Sequence, residues 1–66
     1  MELIINGTAR QCAEGISVKQ LMEELKLSSA GVAIERNLEI VPRSQYGDVR
    51  LNEGDAIEIV SFIGGG

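Results

Sequence analysis

Apolar residues come in short runs along this chain, and only one stretch spaces them at helical period. Glu2-Leu3-Ile4-Ile5 is a first apolar run that stops at Asn6-Gly7, after which Thr8 to Cys12 resumes a strand-like composition. Asn and Gly both tolerate the positive φ of a type I′ turn, so this segment predicts an N-terminal β-hairpin. The helical stretch follows it. Ser17 with Gln20 three residues on matches a capping box, and Val18, Leu21, Met22 and Leu25 then fall at i, i+3, i+4 and i+7. Lys19, Gln20, Glu23, Glu24 and Lys26 fill the other positions, which predicts an amphipathic helix of about ten residues with its apolar stripe on the core.

Ser28-Ser29-Ala30-Gly31 breaks that pattern, and Val32-Ala33-Ile34-Glu35 reads as a strand. Arg36-Asn37 reads as a turn and Glu39-Ile40-Val41 as a short strand, closed by Pro42, which cannot donate to a central ladder. An irregular stretch through Tyr46 and Gly47 leads to Val49-Arg50-Leu51 and a turn at Glu53-Gly54-Asp55. Ala56 to Phe62 is the most strand-like segment. The order strand, strand, helix, strand, short strand, strand predicts an α+β fold: a mixed sheet of four to five strands with one helix packed across one face. The first and last strands, being the most apolar, belong side by side in its middle.

Side chains alternate along a strand, so Ile57 and Ile59 share one face of the last strand while Glu58, Val60 and Phe62 share the other. With the isoleucines toward the helix, Val60 and Phe62 are apolar on the far side. Two readings stay open for Phe62, the only phenylalanine: a patch for a partner, or a cap on the end of the core.

Composition narrows the function classes. The 66 residues are 44% apolar with a formal charge of −4, and the six bases, Arg10, Lys19, Lys26, Arg36, Arg43 and Arg50, are scattered singly. Nucleic-acid binding calls for a clustered basic footprint, which is missing, and an acidic domain meeting a basic groove fits better. There is no His and Cys12 is the only thiol, so neither a Cys/His nucleophile pair nor a disulfide can be built within this chain, and no metal-ligand spacing is present. No signal segment or long apolar run is seen, so the expectation is a cytoplasmic protein off the membrane that is not itself an enzyme.

The chemistry concentrates at the end, "SFIGGG". Gly64, Gly65 and Gly66 can thread a channel too narrow for any Cβ, and with Ile63 they reach at most about 13–14 Å when extended. Fixing those four residues in a partner costs roughly 4–8 kcal/mol of conformational entropy, which docked apolar surface at Val60, Phe62 and Ile63 would offset. The expected organisation is a folded unit over 1–63 and a flexible glycine tail over 64–66. The Gly66 α-carboxylate, with an ordinary pKa of about 3.3–3.7, is ionised and a poor electrophile, so a partner has to activate it, most directly as an acyl-adenylate.

The string "ERNLEIVPRSQY" and the ending "LNEGDAIEIVSFIGGG" resemble the sulfur carrier (ThiS) family of thiamin biosynthesis, which has the ubiquitin-like β-grasp fold. The resemblance runs from the hairpin to Gly66. It implies that an E1-like adenylyltransferase of the ThiF type activates the terminal glycine with MgATP. A cysteine desulfurase supplies the sulfur of a thiocarboxylate, and a ThiG-type thiazole synthase accepts it; the carrier binds no cofactor of its own, and a monomer is the default expectation for a domain that visits several enzymes. By position Gly66 carries the sulfur, Gly65 and Gly64 thread partner sites, and Phe62 with Val60 belongs to the docking surface. Tyr46 stands where related chains often have Trp, and Cys12 is an ordinary strand residue. The alternatives are the small subunit of molybdopterin synthase, whose tail usually contains prolines, a ubiquitin-like modifier joined to lysines, and a β-grasp binding module that needs no free terminus.

Overall fold

Asn6 at φ +48° and Gly7 at φ +83° make the predicted turn between β1 (Glu2–Ile5) and β2 (Thr8–Gln11), which pair antiparallel with Ile5 opposite Thr8. The remaining elements are α1 (Val18–Glu24), β3 (Val32–Arg36), β4 (Glu39–Ile40), a short 3-10 turn at Arg43–Gln45, and β5 (Ala56–Ser61). The computed structural model describes residues 1–62. One five-stranded sheet has the order β2-β1-β5-β3-β4, with β1 and β5 parallel at its centre and the other pairs antiparallel. The sequence-based expectation of a mixed sheet with the two most apolar strands adjacent therefore holds.

The helix starts where the capping box puts it. Gln20 N–H donates to Ser17 Oγ and Ser17 N–H to Gln20 Oε1, each at 3.0 Å. The irregular segment supplies more: Val18 N–H donates to the Val49 carbonyl (3.1 Å) and Lys19 N–H to the Tyr46 carbonyl (2.9 Å). The four amides from Ser17 to Gln20, which have no intrahelical backbone partner, are therefore all satisfied, and Leu21 N–H opens the regular ladder on the Ser17 carbonyl at 2.9 Å.

The helix is shorter than its apolar stripe suggests, seven residues against about ten. Lys26 adopts φ +59°, and Lys26 N–H donates to the Glu23 carbonyl (3.1 Å) while Leu27 N–H donates to that of Met22 (2.9 Å). This is a Schellman close with lysine where glycine is usual, so no local residue announces it. Smaller differences follow the same logic of long-range bonding. Arg36 belongs to β3 and the turn is Asn37-Leu38, Cys12 sits just beyond β2, and Val49-Arg50-Leu51 contributes one bridge, Arg50 to Ser17.

Leu3, Val18, Leu21, Ile34, Leu51 and Ile57 are the largest fully buried side chains, filling the space between α1 and the sheet with Met22, Val32, Val41, Tyr46 and Cys12. Two asparagines then fix β5 from both sides. Asn6 Oδ1 accepts from Ile59 N–H at 2.7 Å, and Asn37 Oδ1 accepts from Ala56 N–H at 2.9 Å. Each asparagine thus makes a left-handed turn and extends the ladder along the strand that leads into the glycine segment.

Candidate functional site

Alternation along β5 separates two surfaces. Ile57 is fully buried and Ile59 packs against the core, whereas Val60 is 44% and Phe62 70% exposed. Val60 lies opposite Ala33 of β3, and the Phe62 amide donates to the Gly31 carbonyl at 2.7 Å, so the backbone is held to β3 up to the last described residue. Phe62 is no part of the buried cluster, which disposes of the core-cap reading for its side chain. Ile63, Gly64, Gly65 and Gly66 lie outside the described residues.

The approach to β5 is anchored by a buried carboxylate. Asp55 Oδ2 accepts from Arg36 Nε (2.8 Å) and from Asn52 N–H (2.8 Å), and Oδ1 accepts from Asn37 Nδ2 (3.1 Å). Burial works to raise the Asp55 pKa, but the hydrogen bonds from Asn52, Asn37 and Arg36 and the nearby guanidinium charge together outweigh it and hold the carboxyl below its ordinary value. Gly54, at φ +82°, makes the turn that presents Asp55 to these donors, a conformation a side chain would strain.

Sequence reasoning missed two further features of the same neighbourhood. Leu38 and Ile40 are exposed, at 89% and 63%, on the β3–β4 hairpin. Glu35 and Glu58 stand directly opposite each other across β3 and β5. The alternation of Glu58 with two buried or half-buried isoleucines was legible; its pairing with Glu35 depends on strand order and register. A cleft of about 430 Å³ between α1 and the 3-10 turn, lined among others by Lys19, Glu23, Arg43 and Tyr46, lies on the helix side, away from Val60 and Phe62. Among the described residues no group of three or more His, Cys, Asp or Glu side chains could hold a metal ion, and no helix is long and apolar enough to cross a membrane.

Comparison with known proteins bears on what such a strand end does. The sulfur carrier protein ThiS of Escherichia coli is 39% identical over 66 residues, covering the whole of both chains. A thiazole synthase of Paramagnetospirillum magneticum is 53% identical over 66 residues, and the chain spans 20% of that relative's length. The crystal structure of a thiamine biosynthesis protein (ThiS) from Geobacter metallireducens superposes with a TM-score of 0.85 at 35% identity, each chain fully covered. The family model of ThiS matches residues 3–66. Sequence and sheet therefore agree along the chain, which belongs to the ThiS family.

Proposed function

We propose that this chain is a sulfur carrier of thiamin biosynthesis, a substrate handed between enzymes and not a catalyst. The observation that carries the reading is the full-length match to a sulfur carrier protein, on a fold whose central strand leads directly toward three glycines. In the first step a Gly66 carboxylate oxygen attacks the α-phosphorus of ATP on a partner adenylyltransferase, with Mg²⁺ bound to the nucleotide, and pyrophosphate leaves. A cysteine-derived sulfur at the sulfide level then attacks the acyl carbon, AMP leaves, and a thiocarboxylate remains. Thiazole synthase is the acceptor, a role supported by relatives of that name that contain a stretch similar to this chain.

The body over 1–63 would be what partners grip, and the tail over 64–66, which has no side chains to obstruct a channel, would carry the reactive end. Buried free Cys12 and a thiocarboxylate both suit a reducing compartment such as the cytoplasm.

The purified chain mixed with its adenylyltransferase and MgATP is expected to support exchange of labelled pyrophosphate into ATP. Absence of chain-dependent exchange would contradict the reading, and stable conjugates to lysines in cell extracts would favour a modifier. Phe62→Ala should weaken binding to the adenylyltransferase by about tenfold, because an exposed aromatic at a contact is a common anchor. Its melting temperature should stay within about 2 °C of the parent, since truncating a side chain outside the core leaves no cavity. A large loss of stability would contradict the assignment of Phe62 to a docking surface.

A further inference from the structure

The turn at Asn6-Gly7 carries a reactive pair of groups, a side-chain amide and the backbone nitrogen that follows it. Of the three asparagines, Asn6 is the only one followed by glycine; Asn37 and Asn52 precede Leu38 and Glu53, whose side chains crowd the next amide nitrogen. Asn6 and Gly7 are both exposed, and nothing lies within 4 Å of where a Cβ on Gly7 would stand. The Gly7 nitrogen is therefore open to solvent base and to the Asn6 side chain alike.

Two hydrogen bonds oppose that reaction. β1 gives β5 only two paired residues, Ile4 with Ala56 and Ile5 with Ile57, and Asn6 N–H adds a bond to the Ile57 carbonyl at 2.9 Å. The Asn6 side chain then makes the next rung by itself: Oδ1 accepts from Ile59 N–H at 2.7 Å and Nδ2 donates to the Ile59 carbonyl at 3.4 Å. Both polar atoms of the side-chain amide are thus committed to β5. Attack on Cγ needs that amide to swing off Ile59 and toward Gly7, so the chemistry runs only from a locally opened turn.

We propose that Asn6 is a site of spontaneous deamidation, held in check by its two bonds to Ile59, and that its isoaspartyl product loosens the strand leading into the glycine segment. The Gly7 nitrogen gives its proton to solvent base and bonds to Asn6 Cγ, and Nδ2 takes up a proton and leaves as ammonia, giving a five-membered succinimide. Water then opens the ring. Cleavage of the nitrogen–Cγ bond gives aspartate, and cleavage at the Asn6 main-chain carbonyl gives isoaspartate, with no change of oxidation state. Aspartate keeps an oxygen for Ile59 N–H and loses only the longer bond. Isoaspartate routes the backbone through an extra methylene, which displaces both the Asn6 N–H bond to Ile57 and the rung at Ile59. The next residue is Val60, so the loosened pairing falls where β5 has left β1 behind. The site is independent of what the glycine segment carries.

The test ages the full chain in mildly alkaline buffer with and without urea and follows, by peptide mapping, the appearance of a carboxyl in place of an amide. Asn6 is expected to react first in urea, with Asn37 and Asn52 still intact, and about tenfold or more slowly in the folded chain. The same opening exposes the Ile59 amide, so its protection against hydrogen exchange should match that slowing to within about threefold. Purified isoaspartyl chain should melt about 5 °C below the parent, and Asn6→Asp by clearly less. An unreacted Asn6 in urea, or earlier reaction at Asn37 or Asn52, would overturn the site. Equal rates with and without urea, or slow reaction alongside an unprotected Ile59 amide, would overturn the check by Ile59, and an isoaspartyl chain that melts with the parent would overturn the effect on the strand.

Discussion

Replacing Asp55 by alanine should lower the stability of the domain by about 3 kcal/mol, because three hydrogen bonds to a buried carboxylate disappear together. A chain of this length has roughly 3–10 kcal/mol in all, so the variant sits near the edge of folding. The expected fall in melting temperature is about 15 °C. The loss spreads beyond one residue: Arg36 Nε, Asn37 Nδ2 and Asn52 N–H all donate to Asp55, and Asn37 also accepts from Ala56 at the start of β5. Asp55 therefore couples the β3–β4 turn to the strand that leads into the tail.

The same group sets an acid limit. Its folded pKa lies below the ordinary 3.8, so the folded state binds its proton less readily than the unfolded chain does. The stabilisation it gives is fully present above that ordinary value and is lost as the pH falls through the lower folded value. Urea titrations from pH 7 down to pH 2 should show the parent losing stability in that acid range, with a flatter profile for Asp55→Ala. A variant as stable as the parent at pH 7, or equally acid-sensitive, would show that the network contributes little.

Removing Gly66 alone should abolish sulfur loading while leaving the melting temperature unchanged. The expected loss is complete because of reach and not of fold. Each extended residue spans at most about 3.3–3.6 Å, so a chain one glycine shorter presents its carboxylate that far from the α-phosphorus, and misplacement by even 1 Å is enough to cost about a hundredfold in rate. Gly66→Ala is the gentler companion: it restores length but adds a Cβ, which the proposed threading of a narrow partner channel would not admit. Loading by the shortened chain at the parent rate would mean that the terminal carbon is not the carrier.

Much of this was legible because it is local. Asn6-Gly7 specifies its turn with two residues, and Ser17 with Gln20 specifies the helix start within one turn of chain. The helix end was not, since Lys26 rather than a glycine takes the left-handed position and the bonds that close it give no sequence signal. The Asp55 network joins residues 18 and 19 positions apart, and the cross-strand role of Asn6 spans 53, so neither follows from a periodicity that sees only neighbours. The exposure of Val60 and Phe62 followed from alternation. That of Leu38 and Ile40 did not, because it depends on β4 lying at the sheet edge, and the pairing of Glu35 with Glu58 becomes visible only once the order β2-β1-β5-β3-β4 is known.

The most direct test is the intact mass of the chain purified from cells that hold the sulfur-transfer enzymes. A fraction heavier by one sulfur minus one oxygen, located by fragmentation to Gly66 and absent when the adenylyltransferase is deleted, is the result predicted here. A single species at the unmodified mass in the presence of active adenylyltransferase and desulfurase, or the extra mass located anywhere else in the chain, would contradict it.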